Sequence, residues 1–139
     1  MTEVEVGGFY AIDWGDGHYG TAKVLVVDDV CTHVRLYPNE WPVSPVGLSP
    51  DDLKLKAIRN GLPKIGHVPV SHAIFESWNP VILARQRVVE EELDGYRMWV
   101  ENKGGYFNMP DLTARKLQQM ILSVANNDDL PPKDLPKPD

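Results

Sequence analysis

The stretch from residue 7 to residue 37 constrains the fold most, because it contains three short β-strand patterns separated by two tight turns. The Asp16-Gly17 pair in the first turn is typical of a β-hairpin, since glycine adopts the positive φ that such turns require. Asp28 and Asp29 mark the second turn. The pattern therefore predicts an antiparallel meander with strands at 9–14, 19–27 and 30–37.

Side chains of the third predicted strand alternate between the two faces of the sheet. One face is predicted to be buried and carries Val30, Thr32, Val34 and Leu36. The other face is predicted to point outward and carries Cys31, His33, Arg35 and Tyr37. Because proline cannot donate to the ladder, Pro38 and Asn39 are predicted to end the strand.

A three-stranded meander cannot bury both of its faces, so it needs further strands or a covering helix. Residues 50–55 offer a short fourth strand, and residues 7–56 would then resemble a small SH3-like or Tudor-like barrel. The predicted fold class is therefore α+β. We expect a small antiparallel SH3-like β-barrel or a curled sheet, with two to three helices packed on it.

The second half of the chain is predicted to supply those helices. Ser71 is a suitable N-cap for a short helix ending at Trp78, and a strand is predicted at 81–88. Helical periodicity predicts an amphipathic helix over 90–102 and a last helix from about residue 110 to residue 126. The apolar stripe of the 90–102 helix is predicted to be Val89, Leu93, Tyr96 and Val100.

These elements predict one α+β domain over residues 1–127. It consists of the barrel-like meander at 7–56 and an extension of helices and a strand at 57–127. Residues 57–70 contain two glycines and two prolines, and are predicted to be an irregular connection. Residues 128–139 are rich in proline and are predicted to be a disordered tail.

Charge and cysteine content limit the classes of partner. The net charge is −6, and nucleic-acid binding needs clustered lysine and arginine, so we expect no nucleic-acid partner. An acidic surface suits a basic protein partner and leaves the oligomeric state open. Cys31 is the single cysteine, which excludes an internal disulfide. Neither a signal peptide nor an apolar run of membrane-spanning length is found, so we expect a cytoplasmic protein with no membrane partner.

Residues with catalytic or metal-binding chemistry are scattered along the chain. The four histidines, His18, His33, His67 and His72, do not follow a standard metal-ligand spacing. Cys31 and His33 would share a face of one strand, but nucleophilic catalysis needs a third group to orient the base. We therefore expect no catalytic residue, no metal and no cofactor. A hydrolase site assembled from distant histidines and carboxylates stays an alternative.

Aromatic and acidic residues at the ends of the meander form the candidate binding site. Barrels of the SH3 type bind ligands with aromatic residues at strand ends, and Tudor-like barrels bind methylated cations in aromatic cages. The alternative interpretation is that these aromatic side chains cap the core. The candidate residues are Trp14, Asp16, His18, Tyr19, Tyr37 and Trp41.

The opening residues resemble the first strands of bacterial immunity proteins from polymorphic toxin systems. The residues that carry the resemblance are Gly8-Phe9-Tyr10-Ala11-Ile12, Asp16-Gly17-His18-Tyr19-Gly20 and Ala22-Lys23-Val24-Leu25. The resemblance implies a small non-enzymatic protein that neutralises a toxin by binding it directly, and it carries no catalytic residues. The alternative function is a peptide or ligand reader that uses the aromatic residues named above.

Overall fold

The computed structural model describes residues 4–42 and 65–125, and the structure reported below is that of these two ranges. Its centre is a five-stranded antiparallel sheet with the strand order β4-β3-β2-β1-β5. The strands are β1 (Gly8–Asp13), β2 (Tyr19–Val27), β3 (Cys31–Trp41), β4 (Ile65–Ser71) and β5 (Val81–Arg85).

Three α-helices and one 3-10 turn accompany the sheet within residues 4–42 and 65–125. The helices are α1 (His72–Ser77), α2 (Asp94–Glu101) and α3 (Ala114–Ala125), and the 3-10 turn (Glu90–Leu93) leads directly into α2. The predicted cap of α1 is confirmed, because the Ser71 hydroxyl accepts a hydrogen bond from the backbone N–H of Ile74 at 3.2 Å.

The first hairpin forms as the sequence predicts. Gly15 and Gly17 both have a φ of +94°, which side-chain-bearing residues rarely adopt. The Asp13 carboxylate accepts a hydrogen bond from the Gly15 N–H at 2.7 Å. Asp13 then pairs with Tyr19 across the strands, which fixes the register of the hairpin.

One face of the sheet, which we call the apolar face, packs against α1 and α3. Its largest buried side chains are aromatic, and Phe75 contacts both Tyr10 and Trp78 edge-to-face with ring centroids 5.9 and 5.8 Å apart. The Trp78 indole donates a hydrogen bond to the backbone carbonyl of Leu112 at 3.0 Å. Leu117 of α3 is also fully buried in this cluster.

The opposite face, which we call the polar face, lies beneath the 3-10 turn and α2. It carries a second apolar cluster around Phe9 and Tyr37. Beside this cluster lie two buried groups of charged and polar side chains, on Lys23 and on His33. The sheet is therefore covered by helical structure on both faces, with most of the apolar burial on one of them.

The predicted fold class is confirmed as α+β with a curled antiparallel sheet. Among the described strands, β4 and β5 are the two ends of the sheet and do not pair with each other, so these five strands do not close into a barrel. The predicted fourth strand at 50–55 and the predicted tail at 128–139 lie outside the described residues.

Two predictions about strand boundaries are wrong. Residues 65–71 form β4 rather than an irregular connection, because Val68 and Val70 alternate toward the core. Proline is tolerated in an edge strand such as β4, because its backbone nitrogen does not have to donate a hydrogen bond to a further strand. The third strand also continues past Pro38 to Trp41, since Pro38 lies between the Tyr37–Thr21 and Trp41–Tyr19 pairs, where the register shifts.

Two predictions about burial are also wrong. The face of β3 predicted to point outward is largely buried: Cys31 and His33 are fully buried, with the Tyr96 and Trp99 rings of α2 against His33. Tyr37 is nearly fully buried in the cluster around Phe9. Residues 90–102 are not one helix with the predicted stripe, because a 3-10 turn precedes α2. Val89 and Val100 are about half exposed, while the rings of Tyr96 and Trp99 contact His33.

Candidate functional site

Four polar side chains converge where the β2–β3 turn meets the polar face, and we call them the Asp28 cluster: Asp28, Cys31, His33 and His67. His33 is central. Its Nε2 lies 2.7 Å from Asp28 Oδ2 and 3.1 Å from Cys31 Sγ, and its Nδ1 lies 2.8 Å from His67 Nε2. Residues from the turn, from β3 and from β4 thus meet at one imidazole.

The turn itself holds the Asp28 carboxylate in place. Its Oδ1 accepts hydrogen bonds from the backbone N–H groups of Val30 at 2.9 Å and Cys31 at 2.7 Å. Burial alone would raise the pKa of Asp28, but the hydrogen bonds from His33, Cys31 and Val30 outweigh it and lower the pKa to about 2. Asp28 is therefore an ionised acceptor at neutral pH.

The thiol of Cys31 does not have the properties of a nucleophile in this setting. Burial and the neighbouring Asp28 carboxylate raise the pKa of Cys31 to about 12. Because the thiolate is the reactive form, a protonated and buried thiol beside a carboxylate is unreactive. Nucleophilic catalysis also needs a third group that orients the base. Asp28 lies next to His33, but it contacts Nε2, the same ring nitrogen that the thiol contacts. In a catalytic triad the orienting carboxylate contacts the other ring nitrogen.

His67 forms the outer part of the cluster, next to α2. Its ring stacks on that of His33 with centroids 5.0 Å apart. Burial and the charge of His33 lower the pKa of His67 to about 4, so His67 is neutral at pH 7. A Cβ built on Gly95 of α2 would lie 2.6 Å from the His67 Cβ, so a residue without a side chain allows the helix to approach this closely.

His72 ties the same turn to the start of α1. Its Nε2 donates to the backbone carbonyl of Asp28 at 2.9 Å, and its Nδ1 lies 2.8 Å from the Thr32 hydroxyl. His67 therefore lies on β4 rather than in the irregular connection predicted for residues 57–70, and His72 is the first residue of α1. The prediction that His33 is exposed on its strand is also wrong, since His33 is fully buried.

Three members of the Asp28 cluster form a possible set of metal ligands. Asp28, Cys31 and His33 each offer one ligand atom, and these atoms lie within 4.8 Å of one another. Spacings between the four histidines do not reveal this set, because only one of its members is a histidine. The usable signal was the Asp-x-x-Cys-x-His spacing across a predicted turn.

A second group of buried charges lies farther along the polar face. Lys23 is fully buried, and its Nζ donates to both carboxylate oxygens of Glu92 at 2.8 and 3.1 Å. Arg35 also donates to Glu92 at 3.3 Å. Burial would raise the pKa of Glu92, but Lys23, the Val89 N–H and Arg35 lower it. This group clamps the 3-10 turn onto the sheet.

The six predicted binding residues do not form one patch. Trp14 is fully buried on the apolar face, whereas Tyr37 is 3% exposed and stacks on Phe9 on the polar face. Tyr19 and Trp41 are half-buried cross-strand neighbours. Only Asp16 and His18 are exposed, 3.6 Å apart at the hairpin turn.

Arg115 of α3 connects two of these residues. Its guanidinium lies over the Trp14 ring at 4.4 Å and donates to Asp16 at 3.0 Å and to Glu40 at 3.2 Å. The hydrogen bonds to Arg115 and His18 lower the pKa of Asp16 despite its partial burial. Trp14 and Asp16 thus take part in holding α3 against the hairpin. For Trp14 this agrees with the alternative interpretation, in which the aromatic side chains pack in the core.

No helix within residues 4–42 and 65–125 is both long enough and apolar enough to cross a bilayer.

Comparisons with known proteins give no relative that could assign a role to these sites. No family model matches the chain, and neither the curated proteins nor the solved structures contain a significant match to it.

Proposed function

We propose that this chain is a non-enzymatic protein-binding module that binds a basic protein, and that it is an immunity-like protein which neutralises a bacterial toxin by direct binding. The observation that carries the proposal is the outward surface of the 3-10 turn and α2. We call it the α2 surface: Val89, Glu90, Glu91, Asp94, Arg97, Met98, Val100 and Glu101, all of them exposed.

The α2 surface combines negative charge with exposed apolar side chains. It presents four carboxylates and one guanidinium, and Arg97 is paired with Glu90 at 2.7 Å and with Asp94 at 3.6 Å. Met98 is 55% exposed and lies between these charges on the helix. Apolar side chains surrounded by charge are typical of protein interfaces, and methionine is enriched in them. The sign of the charge favours a basic partner.

The base of this surface is held firmly, which favours tight binding. Glu92 is anchored from below by Lys23 and Arg35, and its carboxylate also accepts the Val89 N–H at 3.0 Å. At the far end of α2, the Trp99 indole donates to the Gly105 carbonyl at 2.8 Å. A surface that is ordered before binding loses less conformational entropy when the partner docks.

The two alternative functions have less support. A hydrolase assembled from distant histidines and carboxylates would need these groups in an accessible cleft. Asp28, His33 and His67 do lie within hydrogen-bond reach of one another, but His33 at their centre is fully buried. An aromatic reader would need its rings on one accessible surface, and Trp14 and Tyr37 are buried on opposite faces. Tyr19 and Trp41 remain as a half-buried pair, and tryptophan fluorescence titrated with peptides and with methylated lysine tests them.

The direct test uses the toxin that the proposal requires. The proteins encoded next to this gene are expressed with and without the full chain, and cell survival and the affinity of the purified pair are measured. We expect protection and a tight complex with one basic protein. Failure to protect against or to bind any adjacent product would overturn the proposal.

Charge reversal then locates the interface. Glu91→Lys/Glu101→Lys changes two carboxylates of the α2 surface that make no ion pair among the described residues. We expect it to slow association by roughly tenfold or more, because it removes electrostatic steering. The matched control Asp29→Lys/Glu76→Lys makes the same change in charge at two exposed positions elsewhere. Equal effects of the two variants would show that net charge, and not this surface, governs binding.

A further inference from the structure

We propose that Asp28, Cys31 and His33 form a mononuclear Zn²⁺ site. The site does not depend on the proposed protein-binding function. It rests on three different ligand types that converge at the β2–β3 turn within six residues of sequence. A thiolate, an imidazole and a carboxylate together are a ligand set that suits Zn²⁺ better than Mg²⁺ or Ca²⁺, which take oxygen ligands.

The distance between the sulfur and the carboxylate oxygen matches that around a tetrahedral ion, and the two distances to His33 are shorter. With Zn–S near 2.3 Å and Zn–N and Zn–O near 2.0–2.2 Å, tetrahedral ligand atoms lie about 3.4–3.6 Å apart. Cys31 Sγ and Asp28 Oδ2 are 3.6 Å apart, and His33 Nε2 lies 3.1 Å from the sulfur and 2.7 Å from the oxygen. A small rotation of the His33 ring away from Asp28 therefore makes room for the ion.

The surroundings of His33 provide the outer hydrogen bond that metal-binding histidines usually make. A ligating imidazole donates its second ring N–H to an acceptor, which fixes the tautomer. In this site the acceptor is His67 Nε2, 2.8 Å from His33 Nδ1. When His33 donates from Nδ1, its Nε2 lone pair points toward Asp28 and Cys31, as an ion at this position requires.

The balance of protons includes a change of tautomer at His33. Without the ion, the His33 Nε2–H donates to Asp28 Oδ2 at 2.7 Å. On binding, His33 keeps one ring proton, which moves from Nε2 to Nδ1 and is donated to His67. The S–H bond of Cys31 breaks, a Zn–S bond forms and the thiol proton leaves to solvent. The ion thereby takes the place of the Nε2 proton and of the thiol proton, with a net release of one proton.

Burial sets the character of the site. Cys31 and His33 are fully buried, and Tyr96 and Trp99 pack edge-on against the His33 ring, whereas the Asp28 side chain is 27% exposed. Among the described residues, the ion would therefore enter, and take a water as its fourth ligand, from the Asp28 side. A site that is sealed on its other sides favours a structural role for the ion, which would hold the turn against β3 and α2.

Cobalt substitution tests the site directly. The full chain, without a histidine tag, is stripped with EDTA and titrated with Co²⁺, and the thiolate-to-cobalt charge-transfer absorption is followed. Because Cys31 is the only cysteine, any such band reports on this residue. We expect one Co²⁺ per chain, displacement by one Zn²⁺, and a thermal midpoint that is higher with Zn²⁺ than in EDTA. A wild-type chain with no saturable band would overturn the proposal.

Variants separate this site from incidental binding. Cys31→Ser is expected to abolish the band, and Asp28→Asn, which keeps the acceptor for the turn, is expected to weaken Zn²⁺ binding at least tenfold. Asp29→Asn is the matched control, since Asp29 is exposed beside the site and contributes no ligand atom to it. Equal Zn²⁺ affinity of the Asp28→Asn and Asp29→Asn variants would also overturn the proposal.

His67→Leu tests the outer hydrogen bond, because leucine has no acceptor for the His33 N–H. It is expected to weaken Zn²⁺ binding roughly 10–100-fold while the thiolate-to-cobalt band is retained, because the ligand atoms themselves are unchanged. His18→Leu, which alters an exposed histidine of the first turn, serves as its control and is expected to leave the affinity unchanged. Loss of the band in His67→Leu would instead make His67 a ligand and overturn the proposed set.

Discussion

The two faces of the sheet are built from alternate residues of the same strands, yet they are stabilised differently. On β3, Val34 and Leu36 face the aromatic core under α1 and α3. On the other face, His33 packs against α2 and Arg35 reaches Glu92 of the 3-10 turn, and both take part in buried polar groups. Apolar burial tolerates small shifts in position, whereas a buried charge stabilises only when its partner is in place. The apolar face therefore supplies stability, and the polar face supplies positional precision.

Truncation on the apolar face should have the largest effect. Phe75→Ala removes a fully buried ring that contacts Tyr10 and Trp78. We expect a loss of about 3–5 kcal/mol in the free energy of unfolding, from lost burial and from the cavity left behind. Urea denaturation measures it. A loss below about 1 kcal/mol, the effect of an ordinary surface change, would show that this core is loosely packed.

Breaking the charged group on the polar face should rank second. Glu92→Leu leaves Lys23, which is fully buried, without its carboxylate, and we expect a loss of about 3 kcal/mol. The double variant Lys23→Met/Glu92→Leu removes the stranded charge as well and should recover part of that loss. A double variant no more stable than Glu92→Leu would show that the stranded lysine is not the cause.

This contrast also explains what the sequence could and could not predict. Alternation along the strand divided residues 31–37 correctly between the two faces, because period-2 alternation is a local property of any strand. The prediction that Val30 is buried is wrong, since Val30 lies in the turn before β3 and is 51% exposed. What covers the second face is not local. The cover comes from residues 90–101, and the contact of Glu92 with Lys23 joins positions 69 residues apart. His33 was therefore predicted to be exposed although it is buried.

The candidate site follows the same division between local and distant information. Asp28, Cys31 and His33 lie within six residues, so their spacing was visible once the turn was predicted. His67 joins them only because residues 65–71 form β4 against β3, and the glycine and proline in that segment indicate a loop when it is examined alone. An edge strand accommodates those residues, and only the three-dimensional pairing reveals the strand.

The dependence of stability on pH should reveal a contribution from the polar face alone. His67 on the polar face has a pKa lowered to about 4 from the usual 6.5, so the folded state disfavours its protonation. The unfolded chain then binds the proton first, and stability is lost as the pH falls from about 6.5 toward 4. We expect the urea midpoint in EDTA to decrease over this window in the wild type.

His67→Gln should flatten that slope, because it removes the group whose pKa is lowered. Asp28 adds a separate loss at lower pH, since its pKa of about 2 lies below the usual 3.8, and this loss falls between about pH 4 and 2. A slope between pH 6.5 and 4 that persists in His67→Gln would assign it to another group.

The smallest expected effect comes from a matched pair of threonines on opposite faces. Thr21 on the polar face is fully buried, and its hydroxyl has no hydrogen-bond partner within the described ranges. Thr32 on the apolar face is also buried, but its hydroxyl is bonded to His72 at 2.8 Å. Valine has nearly the same shape as threonine, so each substitution isolates one hydroxyl. Removing an unpaired buried hydroxyl stabilises, whereas removing a paired one leaves its partner unsatisfied.

We therefore expect Thr21→Val to raise the free energy of unfolding and Thr32→Val to lower it, each by about 1 kcal/mol. Denaturant unfolding of the two variants beside the wild type measures both. The directions of the two stability changes matter more than their magnitudes. On the polar face the apolar substitution is expected to stabilise, and on the apolar face it is expected to destabilise, which is the opposite of what the character of each face alone would suggest. If both variants shifted stability in the same direction, hydrogen bonding at the two hydroxyls would not be what distinguishes the positions, and the change in side-chain volume or β-propensity would have to account for both.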